Sequence, residues 1–133
     1  MLDFHYIQQE SESDYIYKPD VFFLLMPGRD QLYKACDSRF DRMLLRGAIT
    51  EVKKLLSMNF DPDLPLMKAL GVSEISRYIR GDITLNEASI LTKTSTRRFA
   101  KRQMTWFRNH HYKAKLIKKI FSKNNLENIL SLI

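Results

Sequence analysis

The segment KRQMTWFR, Lys101 to Arg108, sets three cations, an amide, a hydroxyl and two aromatic rings within eight residues. Cations on a regular element can grip phosphates, an amide can read a base edge, and an indole can stack on a nucleobase. On a helix at 100° per residue, Arg98, Lys101, Arg102, Thr105, Arg108 and Asn109 fall on one arc of about 120°, and Phe99, Ala100, Trp106 and Phe107 fall opposite. The pattern turns the cations toward solvent or an anionic partner and the aromatics toward packing. Gln103 lies amid the aromatic arc, either as a satisfied core amide or as a base-reading group at a pocket rim. A lone Trp on an apolar helix face is more often core, so Trp106 is expected to pack, with stacking on a base as the second reading.

Charge along the chain supports an anionic partner. The formal net charge is +7. Residues 1–20 hold Asp3, Glu10, Glu12, Asp14 and Asp20 against Lys18 alone. Between Glu87 and Glu127 no acid occurs, while Lys93, Arg97, Arg98, Lys101, Arg102, Arg108, Lys113, Lys115, Lys118, Lys119 and Lys123 do. Such asymmetry fits a polyanion, with nucleic acid the first candidate and an anionic membrane the second, or else a merely solvated basic face.

Other chemistries find little support. His110 and His111 have no Cys, His or carboxylate at ligand spacing, so no metal site is expected. Cys36 sits on an apolar helical face and reads as a small core residue. Neither GxxxxGK[ST] nor GxGxxG occurs, and no nucleophile elbow or Ser-His-Asp arrangement is apparent. The opening residues lack a signal-peptide pattern and no segment reaches membrane-span length, so a reducing, cytoplasmic setting is expected.

The elements that must carry these residues are mainly helical. With 133 residues, 44% hydrophobic content and only four Gly and four Pro, the chain can bury one core in long uninterrupted stretches. Residues 1–20 read as a polar arm, and residues 21–133 as a single helical region opening with one strand, Val21 to Met26. That strand must pair with something the chain barely supplies. Helices are expected from Asp30 to Gly47, from Thr50 to Met58, and, interrupted at Gly71, from Pro65 to Gly81. Thr84 and Glu87 form a capping-box pattern ahead of a long helix through Arg108 or beyond. KAKLIKKIFSKNNLENILSLI reads as one or two further short helices.

Three ordered blocks, RFDRMLLRGAITEVKKLL, DPDLPLMKALGVSEISRYIRGD and TRRFAKRQMTWFR, resemble the C-terminal part of bacterial tRNA dimethylallyltransferases, from about Val21 to Arg108. The resemblance implies helical additions to a P-loop kinase-like α/β core. Its implied activity is transfer of a dimethylallyl group from dimethylallyl diphosphate to the N6 amine of the adenosine 3′ of the anticodon. The family's tRNA-contacting stretches fall on Lys68, Ala69, Leu70, Gly71, Val72 and Ser73, and on Lys101, Arg102, Gln103, Met104, Thr105, Trp106, Phe107 and Arg108. Val72 and Ser73 depart from the family's usual IGYK or IGYR. Arg29 and Arg39 stand at family-typical basic positions, as diphosphate or tRNA contacts or as solvated residues pairing with Asp30 or Asp41.

The family's phosphate-binding loop and general-base carboxylate have no counterpart here, so no catalytic residue is assigned and the chain alone is expected to be inactive. The resemblance implies no cofactor for this chain, magnesium for the complete enzyme, the tRNA anticodon stem-loop as partner, and dimethylallyl diphosphate only together with the missing N-terminal core. The rival reading is a non-enzymatic basic helical module that binds RNA generally or a protein partner.

Overall fold

In a computed structural model the chain is described at residues 22–110 and 114–118. The element order is β1 (Phe23–Leu25), α1 (Arg29–Leu45), α2 (Ala48–Ser57), α3 (Val72–Arg80), α4 (Leu85–His110) and β2 (Lys115–Ile117). The mainly helical class expected from the composition is what the chain adopts. Expectations for residues 1–21, for 111–113 and for 119–133 lie outside the described residues.

The strand has a partner within the chain, which corrects the reading of residues 115–117 as helix. β1 and β2 pair in parallel, with Phe23 opposite Lys115, Leu24 opposite Leu116 and Leu25 opposite Ile117. The Lys115 N–H donates to the Phe22 carbonyl and the Met26 N–H to the Ile117 carbonyl, each at 2.8 Å. Leu24 is buried, and backbone groups beside a buried side chain need partners. That requirement outweighs the helical reading of the KLI triplet.

The helices pack on one another through a small apolar cluster. Phe40 of α1, Ala48 and Val52 of α2 and Ile75 of α3 are buried together, with Leu44, Ile49, Leu56, Val72 and Ile79 packed around them. Gly47 makes the α1–α2 turn possible: its φ of +102° lies in the left-handed region where a Cβ is disfavoured. α3 begins where the Glu74 carboxylate accepts from the Gly71 N–H at 3.2 Å. It stops at Gly81, φ +83°.

α4, 26 residues long, extends about 39 Å and packs on α1 and α3. Its capping box forms as expected: the Thr84 N–H donates to Glu87 Oε2 at 2.8 Å, and the Glu87 N–H to Thr84 Oγ1 at 3.2 Å. Its buried positions are Ala88, Thr92 and Thr96, continued by the half-buried Ala100 and Met104. Steps of four residues advance 400°, so this buried line drifts by about 40° per step around the helix.

Candidate nucleic-acid interface

The drift of that buried line divides the cations of α4 into two groups. Near its middle, Lys93 and Arg97 face α1, where Lys93 Nζ lies 2.6 Å from Asp41 and Arg97 donates from Nε to Asp37 Oδ1 at 2.8 Å. The hydrogen bond to Asp37 raises the Arg97 pKa further above its already high value, with burial opposing it. Beyond Arg97 the pairing ends. Arg98, Lys101, Arg102 and Arg108 are exposed, and no acid pairs with them among the described residues.

Arg98, Lys101, Arg102, Thr105, Trp106 and His110 line an open hollow of about 500 Å³ on this face. The Thr105 hydroxyl donates to the Lys101 carbonyl at 3.0 Å. Trp106 stands here rather than in the core, with 49% of its surface exposed. Its ring stacks on His110 with centroids 4.4 Å apart and planes 16° apart, and meets Phe107 edge-on at 5.0 Å. His110 Nδ1 lies 2.9 Å from the Trp106 carbonyl oxygen. Phe99 is 44% exposed as well, and the Arg102 guanidinium sits 5.8 Å from its ring centroid.

The assignment of Trp106 and Phe99 to the packed arc is therefore corrected. A fixed wheel places Trp106 on the same radius as Ala88, but by the level of Trp106 the buried line has rotated past it toward Ala100 and Met104. Phe107, closer to that line, is half-buried. Gln103 is exposed and is not a core amide. It borders an open apolar groove of about 380 Å³ lined also by Leu24, Cys36, Phe99 and Phe107.

The two outlying arginines part company. Arg29 opens α1 and joins Lys101, Thr105 and Arg108 around a cleft of about 370 Å³. Arg39 is ten residues further along α1, about 15 Å by helical rise, and borders the apolar groove instead. Asp41, considered as a partner for an arginine of α1, pairs with Lys93.

The stretch from Lys68 to Ser73 presents a mixed surface. Lys68, Leu70 and Ser73 are exposed, Ala69 is half-buried, and Gly71 is buried. Lys68 Nζ pairs with Asp63 at 2.8 Å. Val72 packs against the apolar cluster, so its side chain is turned away from any ligand. Gly71 abuts Thr92, whose Cγ2 would lie 3.3 Å from an added Cβ. Thr92 precedes Lys101 by nine residues, about 14 Å along α4. The two stretches are thus separate patches, not walls of one pocket.

Two features of the face escape sequence reasoning: the Trp106–His110 stack, signalled only by i, i+4 spacing, and the meeting of Lys118, one of the cationic run, with Arg29 and Arg108 in one cleft beyond β2. Among the described residues, no three His, Cys, Asp or Glu side chains come together to hold a metal ion. No described helix is long and apolar enough to cross a membrane.

Comparison with known proteins matches this arrangement to one family. The model of the IPP transferase family matches residues 3–110. The tRNA dimethylallyltransferase of Wolbachia pipientis wMel is 45% identical over 112 residues, covering 84% of this chain and 38% of that protein. The tRNA dimethylallyltransferase of Rhodospirillum centenum is 50% identical over 94 residues, covering 68% of this chain and 30% of that protein. In three dimensions, the full-length tRNA isopentenylpyrophosphate transferase of Bacillus halodurans superposes with a TM-score of 0.71 at 35% identity, over 84% of this chain and 38% of that one. The tRNA delta(2)-isopentenylpyrophosphate transferase of Staphylococcus epidermidis does so with a TM-score of 0.67 at 29% identity. The chain spans less than two fifths of the length of these relatives. The family model covers most of the chain and the relatives share up to half of its residues over the aligned stretch, and the chain belongs to the IPP transferase family.

Proposed function

We propose that this chain is the C-terminal, tRNA-gripping part of a tRNA dimethylallyltransferase and that its ligand is the anticodon stem-loop. The observation that carries the reading is the division of α4: Lys93 and Arg97 are neutralised by α1, while Arg98, Lys101, Arg102 and Arg108 stay exposed and unpaired by acids among the described residues. Cations on a rigid helix can hold backbone phosphates in a fixed register and leave an adenosine beside them to be presented, out of the stack, to a catalytic centre. Prenyl transfer needs a diphosphate site and a base toward the amine. The matching loop is absent from these 133 residues, so the chain alone transfers nothing. Magnesium, implied for the complete enzyme, finds no cluster of three His, Cys, Asp or Glu side chains among the described residues.

The test is equilibrium binding of a fluorescent anticodon stem-loop across a potassium chloride series. Four phosphate contacts predict a slope of log K against log salt of about −3 to −4. Lys101→Ala should weaken binding at every sequence and reduce the slope by about 1. A stem-loop without loop adenosines should bind more weakly. Equal binding of both loops with a steep slope would favour a general basic RNA-binding module, and prenyl transfer by this chain alone would overturn its assignment as inactive.

A further inference from the structure

We propose that Arg29, Arg108 and Lys118 form a phosphate-binding cleft at the carboxyl ends of β1 and β2, extending the RNA face beyond α4. The inference rests on the proposed function and adds a location and two residues to it. β1 and β2 run parallel, so the residues that follow them, Met26 and Lys118, emerge at the same end. In open parallel sheets, ligands settle in the crevice outside the carboxyl ends of the strands. A cleft of about 570 Å³ lies there, lined by Gly28, Arg29, Asp30, Arg108, Leu116 and Lys118 among others.

Charge and shape both favour a phosphate. Three cations from three separate parts of the chain converge on this cleft against one acid, Asp30, and none of the three has an acid partner among the described residues. Like charges gathered in one cleft repel unless an anion lies between them. Guanidinium forks match the oxygens of a phosphate, and the ammonium of Lys118 adds a point charge. Met104 and Leu116 give the cleft an apolar wall beside the three cations. Over Gly28 the space is open, since an added Cβ would meet nothing within 4 Å. Arg29 and Arg108 also line the neighbouring cleft with Lys101 and Thr105, so the new site continues the face of α4.

A phosphate could come from the RNA backbone or from a free diphosphate, and one experiment separates them. Stem-loop binding is measured against potassium chloride for the full chain and for Arg29→Ala, Lys118→Gln and Lys101→Ala, with circular dichroism melting of each, with and without inorganic pyrophosphate at matched ionic strength. If the cleft holds an RNA phosphate, Arg29→Ala and Lys118→Gln each lower the salt slope by about 1. If it takes a free diphosphate, their slopes stay at the wild-type value and pyrophosphate raises the melting temperature of the unsubstituted chain but not of Lys118→Gln. Should Lys101→Ala alone lower the slope, with pyrophosphate stabilising no variant, the cleft is refuted and the α4 face stands. Binding indifferent to all three substitutions would remove the face itself.

Discussion

Arg97 and Asp37 meet fork to carboxylate across the α1–α4 interface, with Arg97 Nε and Nη2 donating to the two carboxylate oxygens of Asp37. One turn away, Asp41 meets Lys93. Acids four residues apart on α1 therefore face cations four apart on α4 in the reverse order, which sets an antiparallel register. The same pairing ties two of the helix's cations to α1 and leaves the others on its exposed face.

Asp37→Asn should lower the melting temperature without weakening stem-loop binding, because Arg97 loses its anchor but is released toward the cationic face. Both side chains are partly exposed, so salt screens the pair and the gap from the unsubstituted chain should narrow in high potassium chloride. Melting curves at low and high salt, with parallel binding titrations, check both halves. A loss of RNA affinity would mean that the pair positions the face rather than only holding the helices.

Trp106→Ala should cost about 1 kcal/mol of stability, not the 3 to 5 of a fully buried aromatic, since half the ring is already in water. Stem-loop affinity should fall several-fold, because the indole lines the same hollow as Arg98 and Lys101. Urea denaturation and anisotropy titration of one preparation separate the two effects. A stability loss near 4 kcal/mol with unchanged affinity would restore Trp106 to the core.

Where local chemistry governs, the sequence was legible. Thr84 and Glu87 announce the start of α4 because a capping box is completed within four residues, and the left-handed glycines 47, 71 and 81 punctuate the helices for the same local reason. β2 was hidden because a three-residue strand exists only through its pairing with β1, some ninety positions earlier. The exposure of Trp106 was hidden by geometry: a wheel assumes one buried radius, whereas the line from Ala88 to Met104 turns around α4. Lys118 joins Arg29 and Arg108 only in three dimensions, and no spacing rule could connect them.

Gly71 and Thr92 make a second test of how α3 is seated on α4. Gly71→Ala should destabilise by about 1 to 2 kcal/mol, since φ is +92° and the new methyl would press on Thr92 Cγ2 at 3.3 Å. Thr92 is 2% exposed, and its hydroxyl has no hydrogen-bond partner among the described residues. Replacing it by the isosteric valine removes a buried unsatisfied group, so Thr92→Val should be neutral or stabilise by up to about 1 kcal/mol. Chemical denaturation of the two variants checks the pair; a valine variant that loses more than the alanine variant would show that the Thr92 hydroxyl is bonded.

Glu87 gives the chain a pH dependence whose direction follows from its cap. The Thr84 backbone N–H is the main cause of a lowered Glu87 pKa, with the Thr84 hydroxyl second; desolvation opposes both, and Arg77 adds the weakest attraction. In the unfolded chain this carboxyl titrates at the ordinary glutamate value. With its folded value lower, acid protonates the unfolded state first, so the contribution is fully present above the unfolded pKa and disappears as pH falls through the folded one. Glu87→Gln should therefore be less stable than the unsubstituted chain at pH 7, with the gap closing toward pH 3. Thr84→Ala, which removes the hydroxyl half of the box, should cost about 1 kcal/mol at neutral pH. Melting temperatures of the three proteins between pH 3 and pH 7 decide it, and a Glu87→Gln gap that stays constant over that range would show that the ionised carboxylate contributes nothing to the cap.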